Sequence, residues 1–151
     1  MTRDGESRNS TQGSTMVKQI LIADDDAEDV EGILRVLKKA GRANPVVAVT
    51  DGEETLAYFK GAGPFADREK FPLPSVLFLD LKMHRRNGLE VLEWLRRTPH
   101  LTNMLIVALS GRDNPKDFSR ACELGAHTFL TKPIRPEDIA RLTKTFHRYW
   151  A

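Results

Sequence analysis

Residues 17–41 read VKQILIADDDAEDVEGILRVLKKAG, and the change of character within this stretch decides the fold. Val17, Ile20, Leu21 and Ile22 form a short apolar run that stops abruptly at Asp24, Asp25 and Asp26. That pattern predicts a strand buried on both faces, with charge at its C-terminal end. Directly afterwards Val30, Ile33, Leu34 and Leu37 recur at i, i+3, i+4 and i+7. They predict one apolar helix face, and Gly41 is placed to end the helix. Strand followed by helix is the building unit of an α/β chain.

Further along, the alternation repeats with changing sequence, which excludes a true internal repeat. Pro45 to Val49 predicts a second strand and Gly52 to Lys60 a second helix. The Gly- and Pro-rich GAGPFADREKFPLP, residues 61–74, marks a long connection. SVLFL, residues 75–79, is a third strand ending at Asp80, and Asn87 caps a helix carrying Leu89, Leu92 and Leu95. MLIVAL, residues 104–109, is a fourth strand ending at Ser110. Asn114 and Pro115 open a helix with Phe118, Ala121, Cys122 and Leu124, stopped by Gly125. Thr128 to Leu130 is a short fifth strand before Thr131, Lys132 and Pro133, and Pro136 starts a last helix with Ile139, Leu142 and Phe146 on one face. Five strands alternating with five helices predict an α/β fold: one doubly wound, five-stranded parallel sheet with helices on both faces and a ligand crevice at the carboxyl ends of the strands.

The 151 residues suit one domain, placed at 17–151, behind a polar tail at 1–16 whose composition predicts disorder. Lys+Arg 23 against Asp+Glu 21 gives a net charge of +2, short of the basic excess that marks nucleic-acid binding. With 40% hydrophobic and 29% charged residues the chain is expected to bury one core. Cys122 is the one cysteine, so no internal disulfide forms and nothing points to an oxidising compartment. No apolar run approaches the ~18–20 residues needed to span a bilayer, and the N-terminus lacks a signal-peptide core. A cytoplasmic protein without membrane or nucleic-acid partners is expected.

The predicted strand ends bring Asp24, Asp25 and Asp80 to one crevice, where unpaired carboxylates repel and would have raised pKa values. A hard, oxygen-rich set of this kind suits Mg²⁺. The competing reading is that Asp24 to Asp26 merely cap the following helix. Ser110 offers a hydroxyl and Lys132 an ammonium, so a carboxylate nucleophile, a metal, a lysine and a hydroxyl, the parts of phosphoryl transfer, converge. Neither GxGxxG nor GxxxxGK[ST] occurs at the first strand–helix turn, which argues against nucleotide binding. His84, His100, His127 and His147 show no zinc-ligand spacing.

Four segments, ILIADDD (20–26), LFLDLKM (77–83), ALSG (108–111) and FLTKP (129–133), together resemble the motifs of bacterial two-component response-regulator receiver domains of the chemotaxis-regulator kind, over residues 17 to about 150. The resemblance implies a flavodoxin-like fold with strand order 2-1-3-4-5. It implies that Asp80 accepts a phosphoryl group from the phosphohistidine of a histidine kinase. Asp24, Asp25, Asp80 and the main-chain carbonyl of Lys82 would then hold Mg²⁺. Ser110 and Lys132 would bind the acyl phosphate, and Phe129 matches the aromatic that switches with Ser110. The long 61–74 connection and the terminal Trp150 look most like stand-alone regulators associated with phytochrome-type kinases. Output is then expected through protein contact, dimerisation included, or through a downstream phosphotransfer protein.

Two departures stand out. Receivers commonly carry Met-Pro where this chain has Met83-His84, and losing the Pro restores an N–H donor beside the phosphoacceptor; His84 is expected either in solvent or against a partner. Lys82, Arg85, Arg86 and Arg112 add a basic rim, read as solvated, with phosphoryl contact by Lys82 and Arg112 as the alternative. Two rival functions are a Mg²⁺-dependent phosphohydrolase and a receiver-like scaffold acting without phosphorylation. The first lacks the second Asp two residues after the nucleophile, where Lys82 stands.

Overall fold

Short continuous apolar runs and patterns of period 3.6 alternate along the chain, and among the residues that the computed structural model describes they form five strands and five α-helices. It describes residues 18–101, 103–111 and 115–150; Val17, Arg112, Asn114 and the expected tail at 1–16 lie outside the described residues. The order is β1 (Ile20–Ala23), α1 (Ala27–Lys39), β2 (Val46–Val49), α2 (Gly52–Lys60), β3 (Val76–Asp80), α3 (Gly88–Arg96), β4 (Leu105–Ser110), α4 (Pro115–Glu123), β5 (Thr128–Thr131) and α5 (Pro136–Thr145). All strand pairs are parallel and the sheet order is β2-β1-β3-β4-β5. The expected α/β doubly wound sheet is therefore present, with strand order 2-1-3-4-5.

Side-chain alternation along each strand divides the core into two layers. Ile20, Ile22, Val76, Phe78, Val107 and Leu109 face α1 and α5, where Ile33, Leu37, Ile139 and Leu142 meet them. Leu21, Ala23, Leu77, Leu79, Ile106 and Ala108 face α2, α3 and α4, supplied by Leu56, Leu92, Leu95 and Phe118. The central strand β3 is buried at every position, Asp80 included. One expectation on α1 fails: Leu34, read as part of the apolar face, is 40% exposed, and Val36 packs against the core in addition to Val30. The buried arc of α1 centres on Ile33 and Leu37, four residues apart, and Leu34 lies at its edge.

The 61–74 connection folds onto α2. Arg68 donates to the carbonyls of Tyr58 and Phe59 at 2.8 and 2.7 Å, supplying partners for the last turn of α2, and Tyr58 Oη donates to Pro72 O at 2.7 Å. Tyr58, Phe65 and Phe71 pack their rings together beneath it. At the opposite end of the sheet from the carboxyl termini of the strands, Trp150 sits edge-on to Phe78, and Asn44 Nδ2 ties Lys18 O and Trp150 O together.

Two glycines hold the β3–α3 loop close to its neighbours. A Cβ on Gly52 would come 1.9 Å from Arg86 O, and one on Gly88 would come 2.5 Å from Asp80 O. The loop docks on α2: the N–H groups of Gly52 and Glu53 donate to the carbonyls of His84 and Arg85, and Arg86 Nε pairs with Glu53 Oε2 at 2.7 Å. These contacts offset the left-handed backbone of Arg85 and Arg86, φ 49° and 79°, a conformation that costs a non-glycine residue about 1–2 kcal/mol.

Candidate functional site

The acidic run after β1 divides its labour. Asp26 has extended backbone and its Oδ1 accepts from Glu28 N–H at 2.9 Å, so it is the N-cap of α1. Asp24 and Asp25 do not cap that helix. Their carboxylates meet Asp80 from the end of β3, and one oxygen from each of the three lies within 4.8 Å of the others. The capping alternative thus holds for Asp26 alone.

Burial sets the electrostatics. Asp24 is 1% exposed and Asp80 5%. Burial pushes the Asp24 carboxyl up to about 6, against the pull of Lys132, with the Asp80 charge adding to the rise. Asp24 Oδ1 accepts from Asp26 N–H at 2.9 Å, while Oδ2 is buried without a hydrogen bond. Lys132 Nζ lies 2.8 Å from that Oδ2, an ion pair that partners it, and 3.3 Å from Asp80 Oδ2. Burial alone would lower the Lys132 ammonium, but Asp24, Asp29 and Asp80 outweigh it and hold the group above its ordinary range. Asp80 Oδ1 accepts from Lys82 N–H at 3.1 Å.

Three carboxylates gathered at one buried crevice suit a hard divalent cation, which takes oxygen ligands and relieves the repulsion. The linkage sign follows from the direction of the Asp24 shift. A carboxyl raised from 3.8 to about 6 on folding stabilises the metal-free fold fully below its unfolded value, and that contribution is lost as pH rises through about 6. Asp24→Asn is therefore expected to be more stable than the native chain at pH about 8, with the gap closing toward pH about 5. Urea unfolding midpoints in a chelator would check this, and a gap independent of pH would contradict it.

The remaining residues named from sequence fall as follows. Ser110 ends β4, is 2% exposed and stands opposite Thr131 of β5, one step past the Asp80 partner Leu109. Lys132 N–H donates to Ser110 O at 2.8 Å, which ties the hydroxyl-bearing and lysine-bearing strand ends together. Phe129 is not gathered into the cluster: its ring is 45% exposed and stacks on Phe118 of α4, centroids 4.1 Å apart. Arg85 reaches toward Asp51 at 3.8 Å and Arg86 pairs with Glu53, so both turn to α2 rather than to the carboxylates. Lys82 is exposed.

His84 stands in solvent, one of the two expectations for it, with its side chain 87% exposed; there Nδ1 lies 2.5 Å from Asp25 Oδ2, and its backbone N–H donates to the same oxygen at 3.3 Å. The N–H regained by the absence of Pro is the second of these donors. One residue was missed. Asp29, in the first turn of α1, places Oδ2 2.8 Å from Lys132 Nζ. Its signal was its place three residues after the N-cap Asp26, in the first turn of the helix that leaves the acidic strand end.

The family model for the response regulator receiver domain matches residues 20–144. Response regulator Rcp1 from Synechocystis sp. is 26% identical over 133 residues, covering 88% of each chain. The structure of its Mn(2+)-bound form aligns with a TM-score of 0.70 over 88% of this chain and 94% of that one. Bacteriophytochrome response regulator RtBRR aligns with a TM-score of 0.79 at 33% identity, over 90% of this chain and 81% of that one. The phosphorylated cyanobacterial phytochrome response regulator RcpA aligns with a TM-score of 0.73 at 27% identity, over 89% of this chain and 94% of that one. With its sheet order, its strand-end acids and this family match over most of its length, the chain belongs to the response regulator receiver domain family of two-component systems.

Proposed function

We propose that this receiver domain takes a phosphoryl group onto Asp80 from a histidine kinase, with Mg²⁺ held by Asp24, Asp25, Asp80 and the Lys82 main-chain carbonyl, and signals by protein contact. The observation that carries the reading is the convergence of the three carboxylates within 4.8 Å, with Lys132 Nζ 3.3 Å from Asp80 Oδ2. Receiver domains are signalling modules that bind Mg²⁺ or Mn²⁺ at an acidic pocket.

Asp80 Oδ attacks phosphorus while the bond from phosphorus to the donor's imidazole nitrogen breaks, leaving an acyl phosphate and a neutral histidine after proton uptake. When bound, the cation supplies positive charge opposite the phosphoryl oxygens. Lys132 gives an ammonium to another of those oxygens, and Ser110 donates a hydrogen bond to a third. Carboxylate burial keeps these charge interactions strong. Phe129, outside the cluster and exposed on β5, would change position when Ser110 moves toward the phosphoryl group, altering the surface formed with Phe118. Similarity to bacteriophytochrome response regulators supports a phytochrome-type kinase as donor. Among the described residues no helix is long and apolar enough to cross a membrane.

Intact mass after incubation with a small-molecule phosphodonor tests the proposal. With Mg²⁺ the native chain gains the mass of one phosphoryl group, and with a chelator it gains none. No gain from several donors, together with no response to beryllium fluoride, would overturn it in favour of a scaffold that works without phosphorylation.

A further inference from the structure

The lysine of the site has two kinds of partner. Its Nζ stands 2.8 Å from Asp24 Oδ2 and 3.3 Å from Asp80 Oδ2, both of the cation cluster, and 2.8 Å from Asp29 Oδ2, which is not. The Asp29 contact is a directed hydrogen bond at the same 2.8 Å as the Asp24 ion pair. The lysine side chain is 16% exposed and that of Asp29 37%, so the ammonium sits inside the crevice and Asp29 holds it from the rim of α1.

We infer that Asp29 is a positioning residue for Lys132, an anchor outside the cation cluster that keeps the lysine from acting as an internal competitor of the metal. The inference rests on the cation reading of Asp24, Asp25 and Asp80 given above. An ammonium and a divalent cation drawn to the same buried oxygens repel each other, and the repulsion falls when the ammonium is neutralised elsewhere. Without Asp29, the partners left to Lys132 are Asp24 and Asp80, the oxygens the metal needs. Asp29 lies in the first turn of α1 and is not one of the clustered carboxylates, so it supplies that neutralisation without offering the metal a ligand. Its role is electrostatic housekeeping of one cation so that another can bind.

The test is a double-mutant cycle read as Mg²⁺ affinity by calorimetry on the full chain, with no phosphorylation step. Asp29→Asn is expected to weaken Mg²⁺ binding about tenfold in the otherwise native chain and less than about twofold in a Lys132→Ala background. Asp29→Glu, which keeps the charge within reach of Nζ, is expected to restore affinity to within about twofold of native. Far-UV circular dichroism on each variant checks that the fold is retained. Equal losses in the two backgrounds would make Asp29 a through-space charge and overturn the inference; so would an unchanged affinity in Asp29→Asn. The cation reading fails separately: a native chain that binds no Mg²⁺, or binds it unchanged in Asp25→Asn, overturns that reading and the inference with it.

Discussion

Asp80→Asn is expected to gain no phosphoryl mass under conditions that fully modify the native chain, a loss of at least about 100-fold in initial rate. An amide oxygen carries no negative charge to attack phosphorus, and no other carboxylate has its setting at the centre of the sheet. Asp80 ends β3, the central strand of the sheet, and is 5% exposed. Lys82 N–H on Oδ1 and the nearby Lys132 ammonium hold its two oxygens in different directions. The same substitution removes one charge from a crowded acidic cluster. Because the Asp80 charge helps to raise the Asp24 carboxyl, that carboxyl should titrate lower in Asp80→Asn, and the metal-free fold should be the more stable of the two at neutral pH. Time-resolved intact mass with Mg²⁺ and urea unfolding in a chelator measure the two effects. A mutant phosphorylated as fast as the native chain would move the acceptor to another residue.

Gly88→Ala is expected to destabilise the fold by about 3 kcal/mol and to weaken cation binding at the same time. Gly88 opens α3, and its N–H donates to Leu81 O at 3.1 Å. An added methyl would come 2.5 Å from Asp80 O and 2.8 Å from Leu81 Cα, both backbone atoms. No rotamer change relieves that contact; either α3 must lift from the sheet or the end of β3 must shift. The loss exceeds the ~1 kcal/mol that Ala gains over Gly inside a helix. The approach at Gly52 is also to backbone, of Arg86 in the β3–α3 loop, whereas at Gly88 it is to the end of β3, which is fixed by β1 and β4. Gly111→Ala is the control: its methyl meets nothing within 4 Å, and stability should stay within about 0.5 kcal/mol of native. Urea midpoints at constant m-value for the two variants and the native chain decide the matter, and a Gly88→Ala midpoint equal to native would remove the argument. A Mg²⁺ titration of Gly88→Ala tells whether displacement of the Asp80 backbone reaches the carboxylates.

The division between what was legible in the chain and what was not follows the range of the interactions. ILIADDD and SVLFLD carry their own evidence: a short uninterrupted apolar run ended by acids fits a strand buried on both faces, and five short apolar runs with helices between them fit a parallel sheet. The strand-end placement of Asp24, Asp80, Ser110 and Lys132 follows directly, since the carboxyl ends of parallel strands meet at one edge. Strand boundaries moved by a residue, as in Val76–Asp80 against the expected 75–79, because pairing partners rather than local pattern end a ladder. What only the tertiary structure decided were the contacts between residues distant in sequence: Lys132 with Asp29, 103 positions apart, His84 with Asp25, 59 apart, and the outward stacking of Phe129 on Phe118. Periodicity reports which face of its own element a side chain occupies, but not which charge on another element waits there. A charged side chain near several opposite charges settles by geometry and desolvation differences of a few kcal/mol, and those exist only once the sheet has brought the strand ends together.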